Sequence, residues 1–189
     1  MNLVKIGSQL GPHPVEIALA YATADNFTGA AVYGQAQAWL HSAAYAALER
    51  AADYAAPLGF RLRLLDAYRP TEAQWKLWNH TPDPNFLADP NKGSPHSRGV
   101  AIDLTLLTED SSGVWRAVDM GTDFDAFTPL SYHGVLEISP EAQRNRLILL
   151  GIMTSAGWDF YRHEWWHYQL FNARDYPLIS DSELPESMM

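Results

Sequence analysis

The segment YRHEWWHY, residues 161–168, contains two histidines and a glutamate in the order H-E-x-x-H. On an α-helix, that spacing places both imidazoles on one face, where they can hold zinc beside a glutamate base. The surrounding residues favour a strand instead, because aromatic side chains suit a pleated, half-buried surface. They are Trp158, Phe160, Tyr161, Trp165, Trp166, Tyr168 and Phe171. A helical site would also need a third ligand from downstream, where we expect only a polar tail, about residues 173–189.

The strand interpretation has a geometric consequence for the motif. On a regular strand His163, Trp165 and His167 share one face, and Glu164 points to the other. Glu164 and His167 can therefore meet at one metal only if a bulge or turn interrupts the strand near Trp165, as often happens beside active sites. Without such a break, these are ordinary strand residues with surface or hydrogen-bonded histidines.

A second candidate set lies in SPHSRGVAIDLTL, residues 94–106. His96 falls in a predicted loop, and Asp103 falls inside an otherwise apolar strand. A buried aspartate is costly unless it is paired or binds a metal, whereas an aspartate on an exposed edge strand avoids that cost. Together with Glu164 and His167, the set offers two imidazoles, one carboxylate ligand and one spare carboxylate. Catalytic zinc sites use three protein ligands, an open position for water and a general base.

The elements that would position these residues follow from periodicity and from helix and turn signals. Helices are predicted at 35–57, at a short segment opened by a capping box of Thr71 and Gln74, and at 140–156 with Ser139 as N-cap. Strands are predicted at 61–66, 100–106, 114–118 and 158–170, and loops at 81–95 and 119–138. The prediction is an α+β fold, with one domain over 1–189 and helices packed on a central, mainly antiparallel sheet.

Composition narrows the classes of cofactor and partner. The chain has 189 residues, a formal net charge of −9 and no cysteine, so any metal must sit on histidine and carboxylate. Nucleic acid and anionic membranes are not expected partners, because their phosphates would be repelled. The start MNLVKIGSQLGPHP lacks an apolar segment of signal-peptide length, so we expect a cytoplasmic protein. The aromatic content, 12%, suits either a core or an interface and leaves the oligomeric state open.

Four stretches resemble the D-alanyl-D-alanine dipeptidases of VanX type, zinc peptidases related to the D,D-carboxypeptidases and the hedgehog signalling domain. They are YATADNFTG (21–29), DAYRP (66–70), SPHSRGVAIDLTL (94–106) and EWWHY (164–168), and MGTDFD (120–125) and AQRNRLILLGIM (142–153) add to the likeness. The stretches span nearly the whole chain in the family's order. The resemblance implies a hedgehog and D,D-peptidase type of fold and hydrolysis of D-Ala-D-Ala to two D-alanine.

The resemblance also implies a ligand set and a base. One zinc ion per chain would be held by His96, Asp103 and His167. Glu164 would accept the proton of the zinc-activated water and pass it to the departing amine. His163 would not be a ligand, because the family's motif begins at the glutamate, so the H-E-x-x-H match is coincidental at its first letter.

Roles for four further residues follow from the same likeness. Arg69 would stabilise the oxyanion, for which a permanently charged planar donor is suited; its alternative is a surface ion pair with Asp66 or Glu72. Three residues would bind the substrate: Asp125, with Tyr21 nearby, at the free ammonium of the dipeptide, and Ser94 at its carboxylate. A substrate recognised at both ends must be a dipeptide, because an extension would leave a buried charge unpaired.

Two alternatives stay open at the level of sequence. One is a zinc D,D-carboxypeptidase or L,D-endopeptidase that acts on longer cell-wall peptides, and the other is a non-catalytic zinc-binding module. The retained Glu164 and Arg69 argue against the module, because a structural zinc needs neither. The physiological role is equally open, since the same chemistry serves vancomycin resistance and turnover of peptidoglycan fragments.

Overall fold

The computed structural model describes residues 2–189, in which three α-helices and ten β-strands are found. The helices are α1 (Ser42–Ala55), α2 (Thr71–His80) and α3 (Pro140–Ser155). The strands are β1 (Leu3–Lys5), β2 (Gln9–Leu10), β3 (His13–Pro14), β4 (Glu16–Ile17), β5 (Trp39–His41), β6 (Phe60–Asp66), β7 (Ala101–Glu109), β8 (Trp115–Ala117), β9 (Asp159–Phe160) and β10 (His167–Gln169). They build one α+β domain, which confirms the predicted fold class.

A central sheet places candidate site residues opposite one another on adjacent strands. Its strand order is β4-β6-β7-β10-β9, with β8 paired to the outer half of β7. Only the short β4 pairs in parallel, so the sheet is mainly antiparallel as predicted. In the register, His167 of β10 lies opposite Asp103 of β7, and Asp103 lies opposite Asp66 of β6. Three adjacent strands therefore meet at the site.

Strand β7 is the centre of the core. Its first seven residues, 101–107, are all buried. Helix α3 contacts β7, and α1 contacts the neighbouring strand β6. Asp103 is only 2% exposed. The alternative of a solvated aspartate on an edge strand is therefore excluded, and the charge on Asp103 requires partners.

Helix α1 is shorter than the predicted helix over 35–57. Trp39–His41 form β5 instead, which pairs with β1 in antiparallel register, and the His41 side chain accepts the Ala43 N–H as the N-cap of α1. The predicted start was wrong because pairing with a strand more than thirty residues away satisfies this backbone better than the local helix propensity does. Helix α3 matches its prediction, with Ser139 accepting the Ala142 N–H.

The predicted strand over 158–170 is interrupted. Only β9 and β10 are strands, and residues 161–166 form a double turn between them. The Trp165 N–H donates to the Ser131 carbonyl at 3.0 Å, and Trp165 and Trp166 are 3% and 1% exposed. Burying both indole rings against the loop at 119–138 bends the chain away from the sheet. The continuous strand was a wrong prediction, but the break near Trp165 that a shared metal requires is present.

The segment after residue 172, expected to be a polar tail, packs along the domain. The Ile179 N–H donates to the Ser97 carbonyl, and the Ile179 carbonyl accepts from the Tyr68 hydroxyl. Met188 is fully buried and its carbonyl accepts the Gly34 N–H. The segment thus ties the turn at His96 to the start of α2. No helix within residues 2–189 is long and apolar enough to cross a membrane.

Candidate metal centre and substrate cavity

His96, Asp103 and His167 face one another in the interior. His96 Nε2 lies 3.1 Å from His167 Nδ1 and 3.3 Å from Asp103 Oδ1, and His167 Nδ1 lies 3.0 Å from Asp103 Oδ1. Ligand atoms about 2.0–2.1 Å from a tetrahedral zinc are separated by about 3.3 Å. The three donor atoms therefore have the spacing of one face of a tetrahedral site. Among residues 2–189, this is the one group of histidines and acids that could hold a metal.

Hydrogen bonds on the far side of each imidazole orient its lone pair. His96 Nδ1 lies 2.7 Å from the Ala67 carbonyl, which only accepts, so Nδ1 carries the hydrogen and Nε2 of the neutral ring is free. His167 Nε2 lies 3.2 Å from Gln169 Oε1, which leaves Nδ1 free in the same way. Two lone pairs and a carboxylate oxygen thus converge, an arrangement that a shared cation stabilises. The donor set fits zinc.

Asp103, the third candidate ligand, is held in its charged form. Burial raises the pKa of Asp103, but the neighbouring His96 and His167 outweigh burial and hold that pKa below its ordinary value. A metal binds the carboxylate and not the carboxylic acid, so the local environment prepares Asp103 for coordination.

Glu164 reaches the group because of the turn at 161–166. Its Oε2 lies 3.9 Å from His167 Nδ1, and the residue is 6% exposed. Burial, with the charges of Asp103 and Asp125, raises the pKa of Glu164 well above its ordinary value. A bound cation opposes that shift, because it favours the carboxylate. Glu164 therefore lies beside the His96–Asp103–His167 group but is not one of its members.

Arg69 is fixed in the interior rather than at the surface. Its Nε and Nη2 each lie 2.8 Å from Asp66 Oδ2, its Nη1 donates to Gln74 Oε1 at 2.9 Å, and its Nη2 lies 3.6 Å from Asp103 Oδ2. Asp66 is fully buried and also accepts from the Tyr33 hydroxyl at 2.7 Å. The alternative role named the correct partner, Asp66, but the predicted surface position was wrong.

The remaining predicted residues lie around the same group. The Tyr21 hydroxyl donates to Asp125 Oδ2 at 2.8 Å, and Asp125 has a φ of 58°, the one positive value outside glycine in residues 2–189. Burial, together with the charge of Asp103, raises the pKa of Asp125 to about 8. Ser94 is 2% exposed, and its Oγ accepts the His96 N–H at 3.2 Å.

All eight predicted site residues line one cavity of about 190 Å³. They are Tyr21, Arg69, Ser94, His96, Asp103, Asp125, Glu164 and His167. Sites for drug-sized ligands measure roughly 300–1,000 Å³, so this cavity suits a smaller molecule. His163 lies outside both the cavity lining and the metal group; its Nδ1 is 3.2 Å from the Tyr161 hydroxyl and its ring stacks on Tyr132.

The family described as D-ala-D-ala dipeptidase matches residues 8–183. The chain belongs to this family. It is 46% identical to a D-alanyl-D-alanine dipeptidase of Escherichia coli strain K12 over 167 residues, 88% of this chain and 84% of the relative. It is also 38% identical to a D-alanyl-D-alanine dipeptidase of Enterococcus faecalis over 180 residues, 85% and 88% of the two chains. Membership confirms the resemblance and makes this protein a peptidase; the buried His–Asp–His group agrees with a metallopeptidase.

The residues that orient the site of this dipeptidase-family member were not foreseen. Gln74 was predicted to close a capping box, but α2 has Pro70 at its N-cap and no side-chain cap. Gln74 instead points inward, accepting from Arg69 and donating to the Ala88 carbonyl. Gln169 had a usable signal, since it follows His167 by two residues and so shares its strand face. No sequence signal could identify the Ala67 carbonyl as a partner of His96, because every residue has a backbone carbonyl.

Proposed function

We propose that the protein hydrolyses D-Ala-D-Ala to two D-alanine, with one zinc ion held by His96, Asp103 and His167. The buried His–Asp–His group in the lining of a small cavity carries this proposal, and the names of the relatives support the substrate. Zinc in such a site would lower the pKa of a bound water and polarise the peptide carbonyl. Two nitrogens and one carboxylate oxygen are a common catalytic ligand set for zinc.

Glu164 is the proposed proton carrier. As a carboxylate at the cavity wall beside His167, it would accept a proton from the attacking water and later donate it to the departing amine. No side chain becomes covalently attached to the substrate in this mechanism. The turn at 161–166 is therefore as important as the ligands, because it places the carboxylate on the ligand side of the sheet.

Arg69 is the proposed donor to the developing oxyanion. A guanidinium has five N–H donors, and the bonds to Asp66 and Gln74 use only part of this set. Because those two partners already fix the group, no reorganisation is needed when negative charge develops on the carbonyl oxygen. This role requires a rigid arginine, which is what the two partners provide.

Asp125, Tyr21 and Ser94 are the proposed contacts for the two ends of the dipeptide. Asp125 would bind the free ammonium. The pKa of Asp125 is about 8 without substrate, and the positive charge of the ammonium would favour its carboxylate form. Tyr21 holds Asp125 through its hydroxyl, and Ser94 would donate to the substrate carboxylate.

Release of free alanine from three peptides by the zinc-loaded protein tests the proposal. The substrates are D-Ala-D-Ala, L-Ala-L-Ala and the tripeptide D-Ala-D-Ala-D-Ala. We expect D-Ala-D-Ala to be hydrolysed far faster than the other two peptides. Hydrolysis of the tripeptide at a comparable rate would favour the D,D-carboxypeptidase alternative, and no hydrolysis of any of the three by zinc-loaded protein would contradict the proposed function.

A further inference from the structure

One wall of the cavity comes from the loop that joins α2 to His96. Residues 84–88, here called the wall segment, contribute Pro84, Phe86, Leu87 and Ala88 to the cavity lining. Two hydrogen bonds from Leu87 and Phe86 to the Asp83 carbonyl give the segment a turn of its own, and Leu87 is 4% exposed. The segment therefore forms part of the boundary of the cavity that contains the metal group.

The wall segment is attached to the domain at two points. On one side the Gln74 amide donates to the Ala88 carbonyl at 2.8 Å. On the other side the Tyr161 hydroxyl donates to the Asn85 carbonyl at 3.0 Å. Tyr161 belongs to the turn at 161–166, which carries Glu164. This second bond therefore joins the wall segment directly to that turn.

His163 supports the second attachment. The Asn85 carbonyl can only accept, so the single hydrogen of the Tyr161 hydroxyl is used there. The contact of 3.2 Å between that hydroxyl and His163 Nδ1 must then be donated by the imidazole. The His163 ring is itself stacked on Tyr132 at 4.4 Å between centroids, which fixes its position. The histidine left over from the H-E-x-x-H match thus has a partner other than metal.

We propose that Tyr161 and His163 form a latch that holds the wall segment closed and thereby excludes peptides longer than a dipeptide. Both act as positioning residues. This inference deepens the proposed function and rests on it for the identity of the substrate. The existence of the latch is independent of the proposed function. Loss of the latch leaves the ligands and Glu164 in place but lets the wall segment move outward, so that a longer peptide can enter.

The test uses zinc-loaded Tyr161→Phe, which keeps the ring in the cavity wall and removes only the hydroxyl. A hydrogen bond of this kind changes an equilibrium roughly 2- to 10-fold. We expect the ratio of kcat/KM for D-Ala-D-Ala-D-Ala to that for D-Ala-D-Ala to rise by that factor. His163→Phe, which keeps a stacking ring, should give a smaller rise and add nothing to Tyr161→Phe in the double variant. Tyr54→Phe, an exposed tyrosine on α1, is the matched control and should change nothing.

A second readout does not depend on turnover. Chymotrypsin cleavage of the Phe86–Leu87 bond, followed by mass spectrometry, should become faster by a similar factor in Tyr161→Phe and stay unchanged in Tyr54→Phe. Unchanged cleavage would overturn the latch whatever the substrate. Faster cleavage with an unchanged peptide ratio would overturn its role in specificity. If the wild type hydrolyses neither peptide, the proposed function fails, while cleavage of this bond still decides whether the latch exists.

Discussion

At the scale of single residues, environment separates two histidines that lie four positions apart in one motif. His167 has its Nε2 against Gln169 and its Nδ1 turned toward His96 and Asp103. His163 instead stacks on an aromatic ring and hydrogen-bonds a tyrosine hydroxyl. Only the first arrangement directs an unused lone pair at other ligand atoms.

Substitution of His167, but not of His163, should therefore lower the metal content. His167→Ala removes one of three donors and should lose zinc during dialysis, whereas His163→Ala should retain about one zinc ion per chain. Metal analysis of both purified variants beside the wild type measures the difference. Loss of zinc from His163→Ala would contradict the placement of His163 outside the ligand set.

Glu164→Gln should separate metal binding from turnover. The amide keeps the shape of the side chain but cannot accept a proton, and a general base contributes roughly 10²- to 10⁴-fold to rate. We expect kcat for D-Ala-D-Ala to fall by that factor while the zinc content stays at the wild-type level. Near-normal turnover in a zinc-loaded variant would contradict the proposed role of Glu164.

At the scale of elements, the site depends on two departures from regular structure. The turn at 161–166 interrupts the strand that the aromatic residues predict, and the short 3-10 turn His96–Arg98 precedes β7. Gly99 ends that turn with a φ of 67°, a left-handed conformation that glycine adopts without strain. Its carbonyl accepts the His41 N–H, which joins the His96 turn to β5.

Gly99→Ala should destabilise the fold more than a comparable change elsewhere. A Cβ at Gly99 would lie 2.6 Å from Leu3 Cδ2 and 3.2 Å from the His41 backbone nitrogen. Gly134 has a φ of 78° and open space around it, so Gly134→Ala carries the conformational cost alone, about 1–2 kcal/mol. We expect urea unfolding to show a larger loss for Gly99→Ala, accompanied by weaker zinc binding. Equal losses would mean that the close approach at Gly99 has no energetic consequence.

At the scale of the whole molecule, a chain with a net charge of −9 brings four acids and one arginine together around the candidate metal group, while the other buried arginine, Arg146, lies apart and donates to backbone carbonyls. The acids are Asp66, Asp103, Asp125 and Glu164, and the arginine is Arg69. A single guanidinium does not balance four carboxylates, so in the absence of metal some of them must take up protons. Burial, together with the neighbouring carboxylates, raises the pKa values of Asp125 and Glu164. A divalent cation bound at the site would offset the excess negative charge.

The metal-free protein should therefore lose stability as the pH rises from about 4 to about 8. The pKa of Asp125 is about 8 in the fold, raised by burial and by Asp103, against about 3.9 in an unfolded chain. The folded state then binds a proton that the unfolded state has released, which makes the slope of stability with pH negative. Glu164 acts in the same direction, while Tyr21 and Arg69 only reduce the shift at Asp125.

Urea unfolding of chelator-treated protein across this pH range measures the effect. Asp125→Asn should have a shallower slope than the wild type, because the amide does not titrate. Zinc should also reduce the slope, since a cation favours both carboxylates. A flat profile for the metal-free wild type would contradict the assigned protonation of Asp125.

Local signals were sufficient for much of the fold and for the chemistry of the site. The absence of cysteine left histidine and carboxylate as the metal donors, and β6, β7 and α3 lie where alternation, an apolar run and the Ser139 cap predicted them. The spacing of motifs along the chain was enough for the family resemblance. These features depend on residues close together in sequence, and so a sequence displays them directly.

Tertiary structure decided the rest. The start of α1 depends on pairing with β1, the inward turn of Gln74 depends on Arg69, and the break between β9 and β10 depends on burial of Trp165 and Trp166. Residue type and spacing alone did not distinguish His163 from His167 either; at the level of sequence only the family resemblance did. Each of these outcomes is a competition between a local preference and a contact with residues distant in sequence, and only the folded chain brings those residues together.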